Sequence, residues 1–166
     1  VQGIGEEVGA ALVADPRVRR ISFTGSPQAA REIGGHAARN IVPFTAELGG
    51  KSPLIVFADA DLDAAARKAA GQYDDAGQVC LAGSRLYVHQ NIYKEFLQRF
   101  KTKAKQMIVG DPTDPNTEIG PLASEEHHNK VVSYLDLQSE EKFTVLTGGK
   151  GEGWWIKPTI LTDVNN

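Results

Sequence analysis

The strongest constraint on the fold is an alternation of element types along the chain. A strand-like run Arg20-Ile21-Ser22-Phe23 passes through Thr24-Gly25-Ser26-Pro27 into a helical pattern over 28–39. A strand over 42–47, an apolar run Leu54-Ile55-Val56-Phe57, an alanine-rich helix over 62–72, a strand over 85–89 and an amphipathic helix over 92–107 follow. Alternating helices and strands bury their apolar faces against one another, so this order predicts an α/β fold in helix-sheet-helix layers.

Local signals set the boundaries. The helical spacing from Glu6 to Ala14 stops at Asp15-Pro16, because proline cannot continue a helix. Ser26 is placed to cap the next helix, with Pro27 at its first position. The run Leu54 to Phe57 is continuous enough to predict a strand buried on both faces, and Asp59 and Asp61 bracket the following helix start. Apolar residues at 92, 93, 96, 97, 100, 104, 107 and 108, with basic residues opposite, account for the lysine-rich face as solvated helix. The stretch from Gly110 to Pro121 is rich in proline, aspartate and glycine and predicts a loop without chemistry. A helix over 124–137 opens on Ser124 with Glu125 and Glu126. Late strands over 144–146 and 155–161 are expected around a turn at Gly148-Gly149, with Trp154 and Trp155 packing or lining a pocket mouth.

Composition narrows the function. The 166 residues are 41% hydrophobic and 23% charged, as in an ordinary globular protein. A net charge of −3 without a Lys/Arg block predicts neither nucleic acid nor membrane as a partner. One cysteine makes no internal disulfide, and no apolar run reaches transmembrane length, which predicts a reducing compartment, the cytoplasm. The adjacent His127 and His128 point to different helix faces and do not form a chelating pair, so no metal is expected.

Two stretches carry candidate chemistry. The only cysteine, Cys80, stands among small residues between a helix and a strand, with Gly77 and Gly83 able to bring backbone N–H groups close to a substrate oxygen. A lone cysteine is more often a small buried hydrophobe, and that alternative stands beside the nucleophile. Glu47 closes a strand before Gly49-Gly50. A carboxylate at a strand end facing a crevice, with little water around it, suits a general base, while a solvated acid at a turn fits the same residues.

Glu47-Leu48-Gly49-Gly50-Lys51-Ser52-Pro53, followed by Gly77-Gln78-Val79-Cys80-Leu81-Ala82-Gly83-Ser84-Arg85, resembles the two active-site signatures of the aldehyde dehydrogenase superfamily in order and spacing. Phe23-Thr24-Gly25-Ser26, Gly120-Pro121 and Lys157-Pro158-Thr159 extend the resemblance over essentially the whole chain. Asp75 and its neighbour depart from the family pattern where many members carry asparagine, and Ala30 stands near a position often held by glycine.

The resemblance implies oxidation of an aldehyde to a carboxylic acid with hydride transfer to NAD or NADP. Cys80 would be the nucleophile and Glu47 the base that hydrolyses the thioester, with Gly25, Ser26 and Leu48 at the cofactor. It also implies that residues 1–48 end a dinucleotide-binding domain and 49–166 form an incomplete catalytic domain. The chain opens at Val1, and an internal fragment of a longer, homo-oligomeric enzyme (dimer or tetramer) is expected. Such a fragment is expected to be inactive in isolation. An inactive structural or interaction piece is therefore an alternative, as is a cysteine hydrolase pairing Cys80 with His36 or His89.

Overall fold

The computed structural model describes residues 1–164 and separates into two compact units, Val1–Gly50 and a second beginning at Lys51. In the first unit a π-helical turn, Gly5–Gly9, leads into α1 (Ala10–Ala14), which stops ahead of Pro16. Strand β1 (Ile21–Gly25) runs parallel to β2 (Phe44–Leu48), and helix α2 (Pro27–Asn40) connects them. The cap forms as the sequence requires: Ser26 Oγ accepts the Ala29 amide at 3.1 Å, with Pro27 opening the helix. The far end of α2 closes on Ile41, a β-branched residue in the left-handed region at φ 53°. Ile21, Ala30 and Ala37 are the buried apolar residues of this unit.

In the second unit β3 (Pro53–Val56) and β4 (Arg85–Val88) are also parallel, joined through α3 (Leu62–Ala70) and a 3-10 segment, Gly71–Gly77. Helix α4 (Tyr93–Gln106) packs against α3, and the alanines of α3 let the two helices approach closely. Ala66, Ala69 and Ala70 meet Phe96, Phe100 and Val56 in one core. Phe96 is 1% exposed, and removing its ring would cost about 3–5 kcal/mol.

The expected two-sided burial of Leu54 to Phe57 is not what forms. Leu54 and Val56, paired with Leu86 and Val88, pack on the core, whereas Ile55 and Phe57 are 59% and 67% exposed. The reason is the two-residue period of a strand: α3 and α4 cover one face of the pair, and Ile55 and its register partner Tyr87 lie on the other.

The chain then turns through a segment tied by a bridge between Val109 and Ile119, in which Ile119 and Leu122 are buried. Helix α5 (Glu125–Asp136) is capped by Ser124 Oγ, which accepts the His127 amide at 3.1 Å. The short α6 (Gln138–Glu141) follows, then the antiparallel pair β5 (Thr144–Lys150) and β6 (Ile156–Thr162).

The turn expected at Gly148-Gly149 lies elsewhere. Both glycines belong to β5, where the register slips, and the hairpin closes over residues 151–155 through Gly151 N–H to the Trp155 carbonyl at 3.0 Å. Gly148 has φ 90°, and a Cβ there would sit 2.2 Å from the Pro158 carbonyl oxygen, so this glycine serves a β-bulge and close strand approach. Trp155 packs inward and donates its ring N–H to the Gly110 carbonyl at 2.8 Å, while Trp154 is half exposed.

Candidate active site

Cys80 stands at the tip of a tight turn. Cys80 and Leu81 are its central residues, the Ala82 amide donates to the Val79 carbonyl at 3.1 Å, and the thiol is exposed. The approach to this turn is unusual backbone: Asp75, Ala76 and Gly77 occupy the left-handed region in succession, at φ 49°, 56° and 74°. Left-handed backbone costs an ordinary residue roughly 1–2 kcal/mol; Gly77 escapes that cost and Asp75 tolerates the conformation, whereas Ala76 bears it. Small residues here reverse the chain after α3 and deliver Cys80 to the surface.

Two glutamine side chains hold the ends of the turn. Gln72 Oε1 accepts the Gly83 amide at 2.5 Å, and its Nε2 donates to the Lys68 carbonyl at 2.9 Å. Gln78 Oε1 accepts the Ala123 amide at 2.9 Å, and its Nε2 donates to the Asp75 carbonyl at 2.9 Å. Gly83 is glycine for steric reasons, because a Cβ would meet the Leu54 Cβ at 3.1 Å and Gln72 Oε1 at 3.2 Å. Just upstream the Tyr73 hydroxyl donates to the Thr159 carbonyl at 2.8 Å, and its ring stacks on Phe100. Burial pushes the Tyr73 phenol far above its ordinary range, so it remains a donor. An apolar cleft of roughly 650 Å³ between β4 and β6 is lined by Tyr73, Gly83, Leu86, Phe100 and Ile160. Cys80 is not among its lining residues.

In the first unit the parallel register gathers the other predicted residues. Thr24 lies opposite Glu47 and Gly25 opposite Leu48, at the carboxyl ends of β1 and β2. Ser26 follows immediately as the cap of α2. Glu47 is exposed and not shielded from water as its expected setting required. Gly25 has a packing reason of its own, because a Cβ would strike the Phe23 ring at 2.5 Å. The fourteen-residue α2 points its N-terminus to this strand end and has no acid in its first turn, a setting that favours an anion.

The bracing role of Gln72 and Gln78 was not visible in the sequence, although Gln78 stands within the cysteine signature. Their partners lie 11 and 45 positions away, and no local pattern records such contacts. His127 and His128 belong to no group that would hold a metal ion among the described residues, and no described helix is long and apolar enough to cross a membrane.

The aldehyde dehydrogenase family model matches residues 1–166. The chain is 43% identical over 170 residues to hydroxyisobutyraldehyde dehydrogenase of Mycolicibacterium austroafricanum, covering 99% of this chain and 34% of that one. Among solved structures, lactaldehyde dehydrogenase from Escherichia coli superposes with a TM-score of 0.94 at 37% identity, covering 99% of this chain and 36% of that chain. Betaine aldehyde dehydrogenase from Staphylococcus aureus in complex with NAD+ superposes with a TM-score of 0.93 at 37% identity, covering 99% and 34%. The chain thus spans about a third of the length of the curated relatives it matches. Match, identity and superposition agree along the full length described: this chain belongs to the aldehyde dehydrogenase family.

Proposed function

We propose that the protein to which this chain belongs oxidises an aldehyde to a carboxylic acid, with Cys80 as nucleophile, Glu47 as general base and NAD or NADP as hydride acceptor. The observation that carries this reading is the presentation of the only cysteine at an exposed turn tip, within the signature Gly77-Gln78-Val79-Cys80. A structural cysteine of the ordinary kind would be buried.

Each step has a chemical requirement that a named residue supplies. The Cys80 thiolate adds to the aldehyde carbon and forms a hemithioacetal, because a planar aldehyde carbon does not release hydride until it is tetrahedral. Its own backbone N–H, at a turn of small residues, suits the developing oxyanion. A bound nicotinamide would supply the hydride acceptor, and loss of hydride from the tetrahedral carbon would leave an acyl thioester on Cys80. Glu47 takes a proton from water as that water attacks the thioester, releasing the acid and the free thiol.

Gly25 and Ser26, at the start of α2, would hold the anionic diphosphate of the cofactor. Leu48, opposite Gly25 on the neighbouring strand, is read as a further contact to the cofactor. Residues 1–48 are read as dinucleotide-binding and 49–166 as catalytic. The protein is read as cytoplasmic, since its chemistry needs a reduced thiol, and as a homo-oligomer from its family membership.

The test is NADH or NADPH formation by the protein at its natural length on mixing with aldehydes, beside the Cys80→Ala variant. Loss of both aldehyde oxidation and ester hydrolysis in Cys80→Ala is expected, since both use one thiolate. Either activity persisting at the wild-type level would remove Cys80 from the role.

A further inference from the structure

We propose that Gln78 is a positioning residue for Cys80, clamping the turn that carries the thiol to Ala123, next to the buried Leu122. The inference rests on Cys80 being the nucleophile.

The turn tip has little to hold it. Cys80 is exposed and Leu81 is 73% exposed, so packing does not fix the direction of the thiol. The single bond from the Ala82 amide to the Val79 carbonyl closes the turn without anchoring it to the rest of the unit. Gln78 supplies an anchor two residues before the thiol, and its amide works in both directions. Its Oε1 accepts from Ala123 at 2.9 Å and its Nε2 donates to Asp75 at 2.9 Å, joining the left-handed approach to a distant segment.

Leu122 anchors that segment. Leu122 is 3% exposed, and its amide donates to the Trp154 carbonyl at 3.0 Å. The stretch ending at Pro121, read from sequence as a loop without chemistry, therefore leads directly into the support of the candidate nucleophile. On the other side Gly83 is held by Gln72, so the turn is suspended between two fixed points. Nucleophilic attack is sensitive to sub-ångström placement of the attacking atom, and a loosened turn would lower turnover without altering cofactor affinity.

A carboxamide combines an acceptor with donors, whereas glutamate keeps only the acceptor and methionine keeps neither at similar length. Gln78 is exposed, so substitutions there leave the core intact. The experiment measures kcat and KM for aldehyde oxidation, together with cofactor-independent ester hydrolysis, in Gln78→Met, Gln78→Glu and Cys80→Ser at natural length. Gln78→Met is expected to lower kcat for both reactions on the order of tenfold, with KM for the dinucleotide unchanged. Gln78→Glu is expected to recover part of that loss, because a carboxylate still accepts the Ala123 amide but no longer donates to the Asp75 carbonyl.

Wild-type turnover in Gln78→Met, or equal loss in Met and Glu variants, overturns the role. A fall in melting temperature that accounts for the loss in both variants assigns Gln78 to stability and overturns it as well. Turnover by Cys80→Ser would remove the nucleophile and this proposal together. An inactive Cys80→Ser beside an unimpaired Gln78→Met would overturn the positioning role alone.

Discussion

The Tyr73 hydroxyl reaches across 86 positions of sequence to donate to the Thr159 carbonyl at 2.8 Å, tying the segment after α3 to β6. Its ring stacks on Phe100 at a centroid distance of 6.1 Å, so one side chain joins the core helices, the hairpin and the approach to Cys80. Tyr73→Phe keeps the ring and strands the carbonyl, and should cost about 1–2 kcal/mol in denaturant unfolding. Because burial raises the Tyr73 pKa above the ordinary 10.0, this group's contribution is complete below pH 10.0 and is lost as pH rises through its higher folded value. The phenylalanine variant should lack that alkaline dependence; equal alkaline profiles would show that the phenol is not insulated.

Ile41 ends α2 in a conformation that suits glycine. It has φ 53° and is 92% exposed, so its side chain pays backbone strain without burying surface. Ile41→Gly relieves roughly 1–2 kcal/mol of left-handed strain and gives back about 0.5–1 kcal/mol in unfolded-chain entropy. A net gain of up to about 1 kcal/mol in unfolding free energy is expected. A lower melting temperature would contradict the assigned strain.

Arg99 on α4 bridges two carboxylates, at 2.8 Å from Asp63 of α3 and 2.6 Å from Glu95. The hydrogen bond from Arg99 holds the Asp63 carboxyl below its ordinary 3.8, with the guanidinium charge adding to it. A depressed carboxylate stabilises the fold fully above pH 3.8, and the contribution fades as pH falls through the lower folded value. Arg99→Gln should therefore be less stable than wild type at neutral pH, with the gap narrowing in strong acid and in high salt, as the pair is exposed. Thermal unfolding across that range checks it, and a gap that persists in strong acid would point to lost packing of the arginine stem instead.

Much of this architecture was legible because its causes are local. The Ser26-Pro27 cap, the helix stop before Pro16 and the alanine-rich α3 follow from residues a few positions apart. Errors arose where a distant partner decides. The exposure of Ile55 and Phe57 depends on which face α3 and α4 cover, and the bulge at Gly148 depends on the Pro158 carbonyl across the hairpin. The site divides in the same way. Cys80 and Glu47 stand out through their motifs, whereas the contacts by which Gln72 and Gln78 brace the turn emerge only when the chain is folded.

In the proposed mechanism the acyl group passes through Cys80 and leaves with the help of Glu47. The most direct measurement is mass analysis of the Glu47→Gln protein at natural length, quenched with acid shortly after mixing with aldehyde and dinucleotide. Without the base, thioester hydrolysis should slow while hydride transfer proceeds, giving a burst of reduced cofactor and an acyl adduct on the peptide containing Cys80. A steady state equal to wild type with no burst, or an adduct on any other residue, would contradict the claim.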